Sequence, residues 1–221
     1  MRRVLVLRPE PGASATAERA RALGLDAIAI PLFAIEPIAW DAPDPAAFDG
    51  LLLTSANAVH SAGEKLAALR GLPVYAVGER TAQAARDAGF SIAAAGEADI
   101  DRLLGSIEAD LKLLHLCGEH RRDSSGAGQQ IKAVPVYCAR AIEAPDLRAV
   151  KGAVALIHSP RAGRRFGELV RDRSSISIAA ISQAAAEAAG EGWERLEFAS
   201  APNDDRLLAL AARLCNKPAP E

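Results

Sequence analysis

The sequence predicts an α/β protein of two parallel-sheet lobes with a two-stranded crossing between them, and three observations lead there. Short apolar runs alternate with alanine-rich helical stretches along the chain. The chain repeats itself at an offset of 104 residues. Two proline-bearing stretches, 31–50 and 134–147, interrupt the alternation.

The strands come first. Runs at 4–7, 51–53, 74–77, 113–116, 154–157 and 176–181 are short and mainly apolar, with His115 and Ser177 inside two of them, and read as strands. Small or polar residues follow each one: Arg8-Pro9, Thr54-Ser55-Ala56-Asn57, Gly78-Glu79-Arg80-Thr81, Cys117-Gly118-Glu119, His158-Ser159-Pro160-Arg161 and Ser182-Gln183. Singly, each is an ordinary strand-to-helix turn with a capping residue. Together they mark the carboxyl ends of the strands, where open α/β sheets bind ligands.

The repeat supports two lobes. At an offset of 104 residues, Leu52-Leu53-Thr54-Ser55 falls on Leu156-Ile157-His158-Ser159, and Asp101-Arg102-Leu103-Leu104 falls on Asp205-Arg206-Leu207-Leu208. Ile30-Pro31-Leu32-Phe33 falls on Val134-Pro135-Val136-Tyr137. The run 4–7 falls on 113–116 at an offset of 109, so the second copy is five residues shorter in its first helix. The shortening lies at 123–130, where Ser124-Ser125-Gly126-Ala127-Gly128 reads as a loop. The extended runs 30–38 and 134–142 suit strands crossing between the lobes.

Composition excludes several function classes. Half of the 221 residues are hydrophobic and only 4% aromatic, so the cores are aliphatic. A formal charge of −2 gives no global attraction to nucleic acid or to an anionic membrane surface. No apolar run reaches the ~18 residues of a membrane span. The run after Arg2-Arg3 is too short for a signal peptide. Three cysteines, an odd number without metal-type spacing, fit reduced thiols in a cytoplasmic protein.

The chemistry-bearing residues narrow the choice further. No Gly-x-Gly-x-x-Gly and no Walker loop follows a strand, so no nucleotide cofactor is expected. Cys117 and His120 lie three apart without a second pair, so no metal is expected. His115 sits within a strand and reads as structural. Cys117 reads as a small buried hydrophobe. Ser55 and Ser159 lack the Gly-x-Ser-x-Gly elbow and suit anion capture better than nucleophilic attack. Arg8, Arg80, Arg121, Arg122, Arg161, Arg164 and Arg165 gather near the strand ends, where solvated helix faces would explain several of them. Arg8 and Arg161 directly follow strands and should face a cleft; Arg164 and Arg165, a turn further on, default to the surface.

The ordered set of turns resembles the uroporphyrinogen-III synthase family from about residue 3 to residue 211. Arg8-Pro9, Leu51 through Val59, Ala76-Val77-Gly78-Glu79-Arg80-Thr81-Ala82, Val136-Tyr137 and His158-Ser159-Pro160-Arg161 carry the resemblance. It implies two flavodoxin-like lobes: 1–33 with 143–221, and 41–133, joined by linker strands 34–40 and 134–142. The implied reaction is a cofactor-independent dehydration and cyclisation of hydroxymethylbilane to uroporphyrinogen III, with ring D inverted, by a cytoplasmic hydro-lyase of tetrapyrrole and heme biosynthesis. A monomer is implied, with a transient contact to the upstream hydroxymethylbilane synthase. Tyr137 aligns with the linker tyrosine regarded as a proton donor. Thr54, Ser55, Asn57, Gly78, Thr81, His158, Ser159 and Ser182, with Arg8 and Arg161, form the implied substrate-binding set. One turn departs from the family: Ser182-Gln183-Ala184-Ala185 stands where a Gly-x-Thr-Thr-like turn is common. The competing reading is a weak or inactive paralogue that binds a linear tetrapyrrole or another poly-acid.

Overall fold

The computed structural model describes residues 2–96, 100–120 and 128–216. In chain order the strands and helices are β1 (Val4–Val6), α1 (Gly12–Ala22), β2 (Ala27–Ala29), β3 (Phe33–Pro37), β4 (Gly50–Leu53), α2 (Ala56–Ser61), β5 (Val74–Val77), α3 (Glu79–Asp87), β6 (Ile92–Gly96), α4 (Ile100–Leu104), β7 (Lys112–Gly118), β8 (Gln130–Ala141), β9 (Val154–Ile157), α5 (Pro160–Leu169), β10 (Ser177–Ala180), α6 (Gln183–Ala189), β11 (Arg195–Phe198) and α7 (Asp204–Asn216).

The chain divides into two compact units, one of Met1–Ala34 with Ala141–Glu221 and one of Ile35–Arg140. In the first unit the sheet order is β11-β10-β9-β1-β2, and all its pairings are parallel. In the second unit the order is β3-β8-β7-β4-β5-β6, parallel from β8 to β6. The unit boundaries fall inside β3 and β8.

The strands form where they do because parallel strands covered by helices must be apolar on both faces. β1, β4, β9 and β10 are buried at every position. The core of the first unit joins Val4, Val6, Val154 and Leu156 to alanines 13, 17 and 20 of α1 and to leucines 207, 210 and 214 of α7. That of the second joins Leu51, Leu53, Val74, Leu114 and Leu116 to Val59, Ala82 and Ala85. Alanine on the helix faces lets helices lie close to the sheet, which is how so few aromatics fill two cores.

Residues 134–141 are the second part of β8, which pairs in parallel with β7 from Lys112↔Gln130 to Gly118↔Tyr137 with one register shift and has β3 as its other neighbour. The loop expected at 124–128 lies mostly outside the described residues, as do Arg121 and Arg122.

Candidate active site

The strand ends of the second unit form a pocket of about 220 Å³ lined by Thr54, Ser55, Val77, Ile100, His115, Gly118, His120 and Tyr137. Ser55 is placed by its capping duty: it has extended backbone, and its hydroxyl accepts from the Asn57 N–H at 3.2 Å to start α2. Tyr137 comes from β8, opposite Gly118 of β7. The ring lies so close that a Cβ on Gly118 would sit 2.9 Å from ring carbon Cε2. Glycine is needed there for the approach of the ring, not for backbone freedom.

Burial pushes the Tyr137 phenol above its ordinary pKa, and a side-chain hydrogen bond to Ser55 only partly opposes this. The phenol is therefore a neutral O–H at physiological pH and can donate a proton. Thr54 Oγ1 lies 3.1 Å from His115 Nε2.

The strand ends of the first unit carry charge instead. Asp204, at the start of α7, lies 3.3 Å from Arg8 Nη1, 3.2 Å from Arg19 Nη1 and 3.3 Å from His158 Nε2, and accepts from Thr16 Oγ1 at 2.9 Å. Burial alone would raise the Asp204 pKa. His158, Arg8 and Thr16 more than offset that and hold the carboxyl well below the usual range. Burial lowers the His158 pKa, Arg8 lowers it further, and Asp204 opposes both. Asp204 already has two guanidinium counter-charges, so the consistent state is an ionised Asp204 beside a neutral His158. The contact at 3.3 Å is not aligned as a hydrogen bond, and both buried His158 ring nitrogens lack one.

The other expected site residues distribute as follows. Ser159 and Ser182 cap α5 and α6 by accepting from Ala162 N–H at 3.2 Å and Ala185 N–H at 3.3 Å. Each keeps its hydroxyl proton for another partner. Arg161 lies over the Phe33 ring, 4.4 Å from its centroid. Gly78 starts α3 with φ +84°, a backbone that favours glycine, and Thr81 is buried in the first turn. Neither lines the tyrosine pocket, nor does Asn57, whose backbone N–H donates to the Ser55 hydroxyl. Arg8 is committed to Asp204, so a substrate carboxylate reaching it must compete with that partner. Arg165 departs from the surface expectation: it is partly buried and donates to the Ile142 carbonyl at 3.1 Å.

Sequence reasoning missed Asp204, Thr16, Gly118 and His120 as site residues. For Asp204 no local signal exists, since 196 residues separate it from Arg8. For Gly118 a signal was present: a glycine directly after a strand, facing a tyrosine strand. A larger cavity, about 720 Å³, runs along β2 beside residues 142–149. Its arginines, Arg3 and Arg148, pair with Asp26 and Asp146. It has no hydroxyl side chain among its lining residues and does not match the chemistry of the strand ends.

Among the described residues no cluster of three or more metal-ligating side chains forms, and no helix is long and apolar enough to cross a membrane. Two parallel α/β units, with a half-buried phenol at the strand ends of one and capping serines at the strand ends of both, define the class of protein by fold and site. A family model described as uroporphyrinogen-III synthase HemD matches residues 14–209. The chain belongs to the uroporphyrinogen-III synthase family. A uroporphyrinogen-III synthase from Chlorobaculum parvum is 34% identical over 101 residues, covering 42% of this chain and 41% of that protein. The fold is similar to the crystal structure of uroporphyrinogen-III synthetase from Helicobacter pylori, with TM-score 0.66, 19% identity, and 97% of this chain and 100% of that chain covered. A mutant uroporphyrinogen III synthase from Thermus thermophilus follows at TM-score 0.54 and 16% identity, with 99% of this chain and 100% of that one covered.

Proposed function

We propose that this protein dehydrates and cyclises hydroxymethylbilane to uroporphyrinogen III, inverting ring D, as a cofactor-independent hydro-lyase of the cytoplasm. The observation that carries the reading is the Tyr137 phenol, kept neutral by burial in a pocket whose other polar groups are hydroxyls and imidazoles. A pocket of about 220 Å³ is below the range of whole-ligand sites, roughly 300–1,000 Å³. It suits one end or one arm of a linear tetrapyrrole.

In this reading Tyr137 donates its proton to the terminal hydroxyl of the substrate, and the C–O bond breaks as water leaves. The azafulvene that remains is attacked by the substituted carbon of ring D, giving a spiro intermediate. That intermediate fragments and recombines at the other carbon. The pyrrole proton lost at closure balances the proton that Tyr137 lent. Once water has left with the proton, the phenolate of Tyr137 balances the charge of the azafulvenium cation until closure returns a proton to it. Thr54, Ser55, Ser159 and Ser182 hydrogen-bond the acidic side chains. Arg161, and Arg8 by exchange with Asp204, hold carboxylates through the planar guanidinium fork.

The finer architecture belongs to the same proposal. The order β11-β10-β9-β1-β2 parallels β6-β5-β4-β7-β8, which supports duplicated flavodoxin-like lobes. The hydrogen-bonded neighbours β3 and β8, where the chain passes between units, support a two-stranded linker. A monomer with transient contact to hydroxymethylbilane synthase completes the reading. The test is timed conversion of freshly made hydroxymethylbilane with separation of the isomers. Spontaneous closure gives type I, so type III above background is expected. Type I alone, at the spontaneous rate, would leave a binding protein.

A further inference from the structure

β7 runs between β4 and β8, and each residue from Leu113 to Cys117 is buried. Within that leucine-rich run stands His115, only 4% exposed. An imidazole in such surroundings costs stability unless its ring nitrogens find partners, whereas a leucine would pack there at no such cost. His115 directs Nε2 at Thr54 Oγ1, 3.1 Å away. The register explains the reach. Leu52 of β4 is the direct neighbour of His115, and Thr54 lies two residues further along, hence on the same face.

His115, Thr54, Ser55 and Tyr137 line one pocket. Two consecutive hydroxyls thus each have an anchor: Ser55 has the phenol of Tyr137, and Thr54 has the imidazole. A threonine hydroxyl carries one proton and two acceptor sites. Were Nε2 the acceptor, that proton would be spent inside the protein, and Thr54 would show the pocket only lone pairs. A carboxylate would then be repelled. With Nε2–H donating, Thr54 accepts from the ring and keeps its own proton for the pocket.

We infer that His115 is a positioning residue whose Nε2–H fixes the Thr54 hydroxyl as a hydrogen-bond donor to a carboxylate of the bound substrate. The inference rests on the reading that this pocket takes an acidic arm of the tetrapyrrole. It accounts for an imidazole in a strand that is otherwise aliphatic, and it assigns Thr54 a direction as well as a place.

The experiment uses three single variants and one double. Thr54→Val removes the hydroxyl and keeps the shape. His115→Leu removes the donor, and His115→Gln keeps an N–H near the position of Nε2. Thr54→Val and His115→Leu should each raise KM about ten- to a hundred-fold, the worth of one hydrogen bond to a charged group, with kcat changed less than about two-fold. The double variant should be no worse than either single one. His115→Gln should recover most of the wild-type KM. Additive effects, or a wild-type KM in Thr54→Val, would overturn the inference. Poor folding of His115→Leu would leave Thr54→Val and His115→Gln to decide it. A second readout needs no turnover: the imidazole ¹⁵N signals of His115 should show the Nε2-protonated tautomer and shift in Thr54→Val. A ring protonated only at Nδ1 would overturn the inference. Failure of the wild-type protein to form type III contradicts the functional reading instead, and the ¹⁵N signals still decide the role of His115.

Discussion

The turn after β4 and the turn after β9 start from related sequences, Thr54-Ser55 and His158-Ser159, yet they hold different chemistry. In both, the serine caps the following helix through its hydroxyl. The residue before it decides the rest. Thr54 is neutral and meets His115, beside a pocket that also contains Tyr137. His158 is buried against Asp204, which Arg8 and Arg19 also engage. One unit thus offers neutral donors, and the other closes a network of charges on itself. The lesson is that a shared strand–turn–helix frame fixes where a side chain sits, while distant partners decide what it does.

That contrast can be broken most forcefully at Asp204. Asp204→Ala leaves Arg8 and His158 without their carboxylate in a mostly buried setting, and should cost about 2–3 kcal/mol of stability. Denaturant unfolding checks the value. The pH dependence sharpens it. The Asp204 pKa is lower in the folded than in the unfolded chain, so its contribution is present above about pH 4 and is lost as pH falls toward the folded value. The His158 pKa is also lowered on folding, so the unfolded chain takes up that proton first, and stability starts to fall as pH drops through about 6.5. The melting temperature should therefore decline in two stages on acidification, and His158→Gln should remove the earlier one.

A second difference lies in how the helices pack. α5 meets α6 through Gly163 and Gly167, where an added Cβ would fall 2.6 Å from the Ala185 carbonyl oxygen and 2.8 Å from that of Ala189. Those neighbours are backbone and cannot swing aside. Gly163→Ala should cost about 1–3 kcal/mol despite the better helix propensity of alanine, read as a lower melting temperature. In the second unit Gly63 has open space where a Cβ would point. An unchanged melting temperature in Gly163→Ala would show that α5 and α6 can part freely.

The smallest effect is expected at Arg161. Its guanidinium lies over Phe33 and is partly exposed. Arg161→Ala should raise KM about two- to five-fold and flatten its dependence on salt, since exposed charge contacts are screened. Unchanged KM and salt response would return Arg161 to a packing role.

Much of the fold was legible because fully covered parallel strands are continuous apolar runs. β1, β4, β5, β7, β9 and β10 all lie at or near their expected positions. β2, β6 and β11 were not legible. Each ends a sheet and is only partly buried, and Ala27-Ile28-Ala29 and Ile92-Ala93-Ala94-Ala95-Gly96 are as alanine-rich as the helices. At the site, capping serines could be read from their place after a strand. The network around Asp204 could not, because its members come from α1, β9 and α7 and the residues beside them, and no spacing links them. His115 reads as core from its strand; its hydroxyl partner emerges only from the register of β7 on β4.

The central claim is that the second unit supplies the acid through Tyr137. Tyr137→Phe keeps the ring on Gly118 and removes only the proton. Single-turnover formation of type III product by this variant, beside wild type at matched folded fraction, tests the claim most directly. The account predicts a fall of about 10- to 100-fold, the low end for a general acid, with a nearly unchanged melting temperature and type III still the enzymatic product. Wild-type turnover in a folded Tyr137→Phe enzyme would contradict it.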